Sequence, residues 1–191
     1  MKIYRNIDAR ELKIDERELA ARLGVPYGSS AEELSALSGE LIAASKPAYV
    51  ATRVKLEKKD GRIRIGGVSS QSAALAKLCK DSSECIAIVA TLGIGVDRLI
   101  LKRAERSASE AFFIDALADA LVEALCDLAE REVSEGLKTS GRFSPGYADI
   151  ELGIGREIIT LSGADKLLGI RFTESGLMVP KKSVNALIAI R

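Results

Sequence analysis

The sequence predicts an α+β fold, and three observations carry that expectation. Strand-like and helix-like stretches follow one another without regular alternation, which argues against a doubly wound parallel sheet. The run Glu84 to Thr91 is rich in Ile, Val and Ala, as a buried strand is. A helical pattern from Ser107 to about Leu137 is the longest in the chain.

The elements follow in order. Lys2 to Ile7 alternates like a short strand, and Asp15 to Leu23 reads as a short helix ended by Gly24 and Pro26. Ser30 is a suitable N-cap with Glu33 three residues on as its capping box. The helix it opens runs to about Ser45, puts Leu34, Leu37, Leu41 and Ile42 on one face, and is stopped by Pro47. Tyr49 to Leu56 alternates like a strand, Lys58 to Gly61 is a hairpin turn, and Arg62 to Ile65 is the return strand. Ser69 or Ser70 is positioned to cap a helix reaching Cys79. After the buried strand, Leu92 to Gly95 turns into a helix from Val96 to Lys102. The long helix ends near Gly136 or Gly141, and a loop occupies Gly141 to Glu151. A helix from Leu152 to Leu161 is closed by Gly163, and Leu168–Phe172, Leu177–Val179 and Asn185–Ile190 read as strands. There is no internal repeat or low-complexity segment.

Composition excludes several functions. Of 191 residues, 28 are Lys or Arg and 27 Asp or Glu, with no long basic run, so nucleic acid is not an expected partner. The longest apolar run, Ile86 to Val96, is too short to span a bilayer, and the N-terminal residues lack the apolar core of a signal peptide. Three cysteines, Cys79, Cys85 and Cys126, make no disulfide framework, and a cytoplasmic setting is the simplest expectation. The chain contains no histidine, which removes a His-containing zinc or haem site, a histidine-held corrinoid, and histidine as a general base. Gly93-Ile94-Gly95 and Gly153-Ile154-Gly155 lack the third glycine of a dinucleotide fingerprint.

Two features remain to be explained. Asp115, Asp119, Glu123 and Asp127 recur at intervals of four on the long helix, and Glu130 follows. Such like charges weaken a helix by roughly 0.2–0.5 kcal/mol per pair. The stripe is either a solvated face or one that meets cations: Arg142, Arg171, or a positively charged ligand. The second feature is the hexapeptide Arg142-Phe143-Ser144-Pro145-Gly146-Tyr147. Its Arg offers a fork of donors for a carboxylate or phosphate, its Pro-Gly turns the backbone tightly, and its Tyr supplies a flat face with a polar tip. The same six residues also read as an ordinary Pro-Gly turn. Later in the chain, Thr173, Glu174 and Ser175 suit a turn between strands, Met178 suits a core position, and Lys181 and Lys182 read as a solvated pair.

Taken together, the R-x-x-x-G-Y loop and the segment Thr173-Glu174-Ser175, Met178, Pro180, Ser183-Val184 resemble the activation domain of cobalamin-dependent methionine synthase. That is the part of the enzyme that binds S-adenosylmethionine. The long helix around Ala116–Ala124 and the strand end Ile88–Gly93 resemble the same family. The match covers 84–191; residues 1–83 match it weakly, and the whole chain is expected to be a single unit. The resemblance implies a twisted, mainly antiparallel sheet with flanking helices, one of them long. It implies that Arg142 binds the ligand's carboxylate and that Phe143, Ser144, Pro145 and Gly146 present backbone groups to it. Tyr147 would stand near the reacting centre as a positioning residue, while Glu123 and then Asp119 would accept from the ligand's ammonium or hydroxyls. The activity implied is reductive methylation of inactive cob(II)alamin on a separate methionine synthase or other corrinoid protein, with cobalamin present only through that partner and a flavodoxin-like electron donor. The sequence ends at Arg191, just after its last strand, so the resemblance leads to the expectation of a stand-alone activation protein without the family's C-terminal extension. The alternative is a non-catalytic adaptor that docks on a corrinoid protein and has lost or changed its small-molecule ligand.

Overall fold

The apolar run 84–91 is a strand buried on both faces. Alternate side chains, Ile86, Ile88 and Ala90, enter one core, and Cys85, Ala87 and Val89 enter another. That is why this stretch reads as continuously apolar rather than alternating. The computed structural model describes residues 2–23 and 31–191, the side chains at 16, 18, 21, 22 and 31–35 excepted.

The strands are β1 (Lys2–Asn6), β2 (Ala48–Lys59), β3 (Arg62–Ile65), β4 (Val68–Ser70), β5 (Glu84–Thr91), β6 (Arg171–Phe172), β7 (Met178–Val179) and β8 (Ser183–Ile190). The helices are α1 (Glu16–Leu23), α2 (Ala31–Ala44), α3 (Ala73–Leu78), α4 (Ile94–Ala104), α5 (Ala108–Ser134), α6 (Leu152–Ser162) and α7 (Ala164–Leu167). The principal sheet has six strands in the order β4-β3-β2-β5-β8, with β1 added to β2, and every pairing is antiparallel. A separate hairpin pairs β6 with β7. This is the α+β class that the irregular element order predicts.

The 27-residue α5 spans about 40 Å and lies across one face of the sheet. Its residues Ile114, Leu117, Leu121 and Leu125 share a core with Leu41, Tyr49, Ile86 and Ile188. On the other face α6 packs Ile154 and Ile158 against Val50, Ala87, Val89 and Leu187. The Ser107 side chain caps α5 by accepting from the Glu110 amide. A Cβ on Gly95 would stand 2.3 Å from the Ala44 carbonyl oxygen, so glycine is what lets α4 begin against the end of α2.

The structure departs from the sequence reading in a few places. Ser69 and Ser70 belong to β4, and α3 is capped instead by Ser72, which accepts from the Leu75 amide. The stretch 168–172 is strand only at Arg171–Phe172, because the short α7 precedes it. Gly163 closes α6 as expected, with φ 72°. The Gly24–Pro26 stop and the Ser30 cap lie outside the described residues, as do the side chains of Glu33 and Leu34.

All three cysteines are free and buried. Burial pushes the thiols of Cys85 and Cys126 up to about 12 and raises that of Cys79 as well. A thiol reagent at neutral pH is therefore expected to label none of them in the folded protein and all of them after denaturation. Rapid labelling before unfolding would contradict this packing.

Candidate functional site

The segment leaving α5 is laid along the free edge of β8. The Ser140 amide donates to the Ala189 carbonyl at 2.9 Å, and the Ser140 hydroxyl accepts from the Ala189 amide at 2.9 Å. Phe143 and Leu187 exchange both backbone hydrogen bonds, at 2.9 and 2.8 Å. The chain then turns. Gly146 has φ 92°, and a Cβ there would also meet the Leu152 side chain at 3.0 Å, so both conformation and space call for glycine. The Gly146 amide donates to the Ile150 carbonyl at 2.9 Å and closes the loop, with Tyr147 at its tip, 71% exposed.

Two carboxylates fix the far side of the loop. Asp149 accepts from the Ser72 hydroxyl at 2.5 Å and from the Ala73 and Ala74 amides at 2.7 and 3.2 Å. Glu151 accepts from the Ser70 hydroxyl at 2.5 Å. The Ser72 hydrogen bond, then that of the Ala73 amide, holds the Asp149 carboxyl below its ordinary range, and the Ser70 bond does the same for Glu151.

The acidic stripe of α5 is paired, and among the described residues Arg142 and Lys182, both beyond the helix, supply cations to it. Arg142 reaches Glu123 at 2.7 Å, Asp127 at 3.0 Å and Glu130 at 3.5 Å, and its backbone amide donates to Glu130 at 3.2 Å. Lys182 reaches Asp119 at 2.6 Å and Asp115 at 2.9 Å. Burial opposes the charge on Arg142, but the Cys126 thiol, the Asp127 hydrogen bond and the charges of Glu123 and Asp127 outweigh it, and its pKa is raised. These contacts gather five carboxylates around two cations. The sequence reading of Lys182 as half of a solvated pair is therefore wrong: its side chain is 9% exposed and ion-paired. Arg171, the other cation considered for the stripe, is exposed on β6.

Beside the loop lies a groove of about 450 Å³ lined by Pro145, Leu152, Phe172, Leu177, Met178 and Asn185, with Lys181 at its margin. Its Asn185 and Met178 face α6, whereas Arg142 and Lys182 are ion-paired to α5. Glu123 meets Arg142 directly, and Tyr147 stands exposed at the turn. Thr173, Glu174 and Ser175 form the expected turn, in which the Thr173 hydroxyl accepts from the Leu177 amide at 3.0 Å. Met178 packs against the α6-side core. Among the described residues, no group of three or more Cys, Asp or Glu is placed to hold a metal ion, and no helix is long and apolar enough to cross a membrane.

Compared by sequence, the chain matches no protein-family model and no curated protein. Its fold does have a counterpart. A crystal structure of the MetH reactivation domain bound to AdoHcy superposes with a TM-score of 0.74, over 99% of this chain and 78% of that one, at 17% identity. The chain has the reactivation-domain fold. The superposition includes the residues before 84, where the motifs give little guidance.

Sequence reasoning missed Lys182 and Asn185, although a signal for both was present. Val184, Ile188 and Ile190 pack on the α5-side core, while Leu187 and Ala189 pack on the other. Counting back by twos puts Lys182 toward α5, and Lys181 and Asn185 toward the groove. Asp149 and Glu151, at the end of the loop, are anchors.

The Asp149 anchor carries a pH prediction. Its folded-state pKa lies below the ordinary value of 3.8, so its grip is fully present above that value and is lost as pH falls through the lower folded-state pKa. Amide exchange at Ala73 and Ala74, corrected for its intrinsic pH dependence, is expected to quicken below about pH 4. Asp149→Ala should quicken it at neutral pH while leaving the α5 amides protected. Unchanged protection at both amides in the variant would show that the anchor is not holding them.

Proposed function

We propose that the chain binds S-adenosylmethionine at the loop 142–147 and supports reductive methylation of cob(II)alamin carried by a separate corrinoid protein, a methionine synthase or a relative. The observation carrying this reading is the juxtaposition of Arg142 with the acidic face of α5 in a fold whose counterpart holds AdoHcy. The amino-acid end of the ligand is a zwitterion. Such a group can insert into the Arg142–Glu123 pair, its carboxylate taking the guanidinium and its ammonium taking Glu123, with no net change in the number of ion pairs. The surplus of acids over bases along α5 suits the additional positive charge of the sulfonium, and Asp119 extends that surplus toward the ribose hydroxyls. Phe143, Ser144, Pro145 and Gly146 offer backbone groups held in place by β8 and by the turn.

The residues present fit this ligand, and the absence of histidine fits a corrinoid held elsewhere. In the reaction, one electron from a flavodoxin-like donor reduces cobalt(II), the sulfonium carbon–sulfur bond breaks, the methyl group passes to cobalt, and S-adenosylhomocysteine is left. The chain's own contribution is positional: Arg142 and Glu123 fix the amino-acid end, and the exposed Tyr147 borders the side from which a bulky corrinoid must approach. No general base is required. One observation favours the adaptor reading. Arg142 already faces three carboxylates, with which a ligand carboxylate must compete.

Calorimetric titration with S-adenosylmethionine and S-adenosylhomocysteine separates the two readings. Binding is expected, and Arg142→Ala should weaken it by roughly 1.5–3 kcal/mol, about ten- to a hundredfold. Arg142→Lys, which keeps the charge but not the planar fork, should also weaken it. Absence of binding by the unaltered chain, with retained affinity for a corrinoid protein, would establish the adaptor instead. The purified chain is also expected to be colourless. A corrinoid absorption spectrum co-purifying near unit stoichiometry would overturn the assignment of cobalamin to a partner.

A further inference from the structure

We infer that the groove on the α6 side of β8 receives the adenine of the ligand and that the Asn185 amide reads the 6-amino edge of that base. This rests on the proposed binding of S-adenosylmethionine and extends it to a residue outside the two motifs' expected contacts.

Asn185 is 6% exposed and lines the groove. Its Oδ1 has no hydrogen-bond partner. Its Nδ2 donates to the Met178 sulfur at 3.3 Å, a weak acceptor. A buried amide in this state is costly unless something else completes it. The adjacent helix also keeps space for it: a Cβ on Gly155 would stand 3.0 Å from Oδ1 and 3.3 Å from Nδ2.

The position suits a base. Phe143 pairs with Leu187, so two residues further along the antiparallel edge Pro145 comes opposite Asn185, and both line the groove. The loop is thus shared between the charged side, where the amino-acid end is placed, and this groove. The remaining lining, Leu152, Phe172, Gly176, Leu177 and Met178, is apolar apart from the cation Lys181, and no carboxylate lines the groove. An ammonium or sulfonium gains nothing there, whereas a neutral heteroaromatic ring gains apolar contact. The rim residues Leu152 and Leu177 are 56% and 61% exposed. Exposed side chains of this kind change rotamer within nanoseconds and can yield to an entering ring. Oδ1 then accepts from the 6-amino group while Nδ2 donates to a ring nitrogen, the bidentate pairing that suits an amide and adenine.

The test compares S-adenosylhomocysteine with its 6-deamino analogue, which carries hydrogen in place of the amino group, by calorimetric titration of the unaltered chain and of Asn185→Leu. The unaltered chain should prefer S-adenosylhomocysteine by about tenfold or more. Asn185→Leu should melt no lower than the unaltered chain, bind S-adenosylhomocysteine correspondingly less well, and lose the preference. Equal affinity of the unaltered chain for both ligands overturns this inference and leaves the proposed function standing; that arm does not depend on the variant folding. A preference that survives in Asn185→Leu also overturns it. Failure of the unaltered chain to bind either ligand removes the proposed function, and this inference with it.

Discussion

The acidic face of α5 is the constraint around which the site is assembled. Five carboxylates at helical spacing repel one another, and the helix supplies no cation of its own to the contacts that neutralise them. Arg142 arrives from the segment after the helix and Lys182 from the turn before β8. Each carries a stretch of backbone with it, so neutralising the stripe and placing the two motif segments are the same event. The dependence runs both ways. A lysine side chain as enclosed as Lys182 has no favourable place without Asp115 and Asp119 beside it.

The loop 140–151 is held from three directions. Its start is hydrogen-bonded to β8, its guanidinium is clasped by α5, and its end is pinned by Asp149 to α3 and by Glu151 to Ser70. The tip is closed by the loop's own backbone bonds, the Gly146 amide to the Ile150 carbonyl among them, while the Tyr147 side chain stands in solvent. Anchoring on three separate elements fixes the backbone of such a loop more closely than its own turn can. The edge of β8 also separates two chemistries, ion pairs toward α5 and an apolar groove toward α6.

The fold has a counterpart at 17% identity, while sequence comparison finds neither a family model nor a curated relative. The physical reason is visible in β5 and α5. What those elements require is apolar volume at the right period, and Ile, Val, Leu and Ala satisfy that in many combinations. Few positions admit one residue type. Gly146 is one, for its positive φ and its contact with Leu152, and Gly95 is another, for its approach to Ala44.

The sequence alone determined most element types and boundaries and the loop, but not β4 or α7. Helical and strand periodicities, the Asp60-Gly61 turn and the Gly163 stop are local signals, and local backbone preference decides them. It also determined that α5 carries an acidic stripe, and left open whether that stripe faces solvent or cations. Only the tertiary structure decided which partners. Lys181 and Lys182 are chemically identical in the sequence, and the register of β8 buries one against Asp119 and leaves the other exposed. Asp149 and Glu151 look like loop acids until α3 and β4, about eighty residues earlier, present a hydroxyl or amide to each. Asn185 reads as one polar residue in an apolar strand until the Phe143–Leu187 bridge sets Pro145 across from it and Gly155 of α6 comes close beside its amide. A strand's period of two fixes which side chains share a face, but not what the chain will pack against that face.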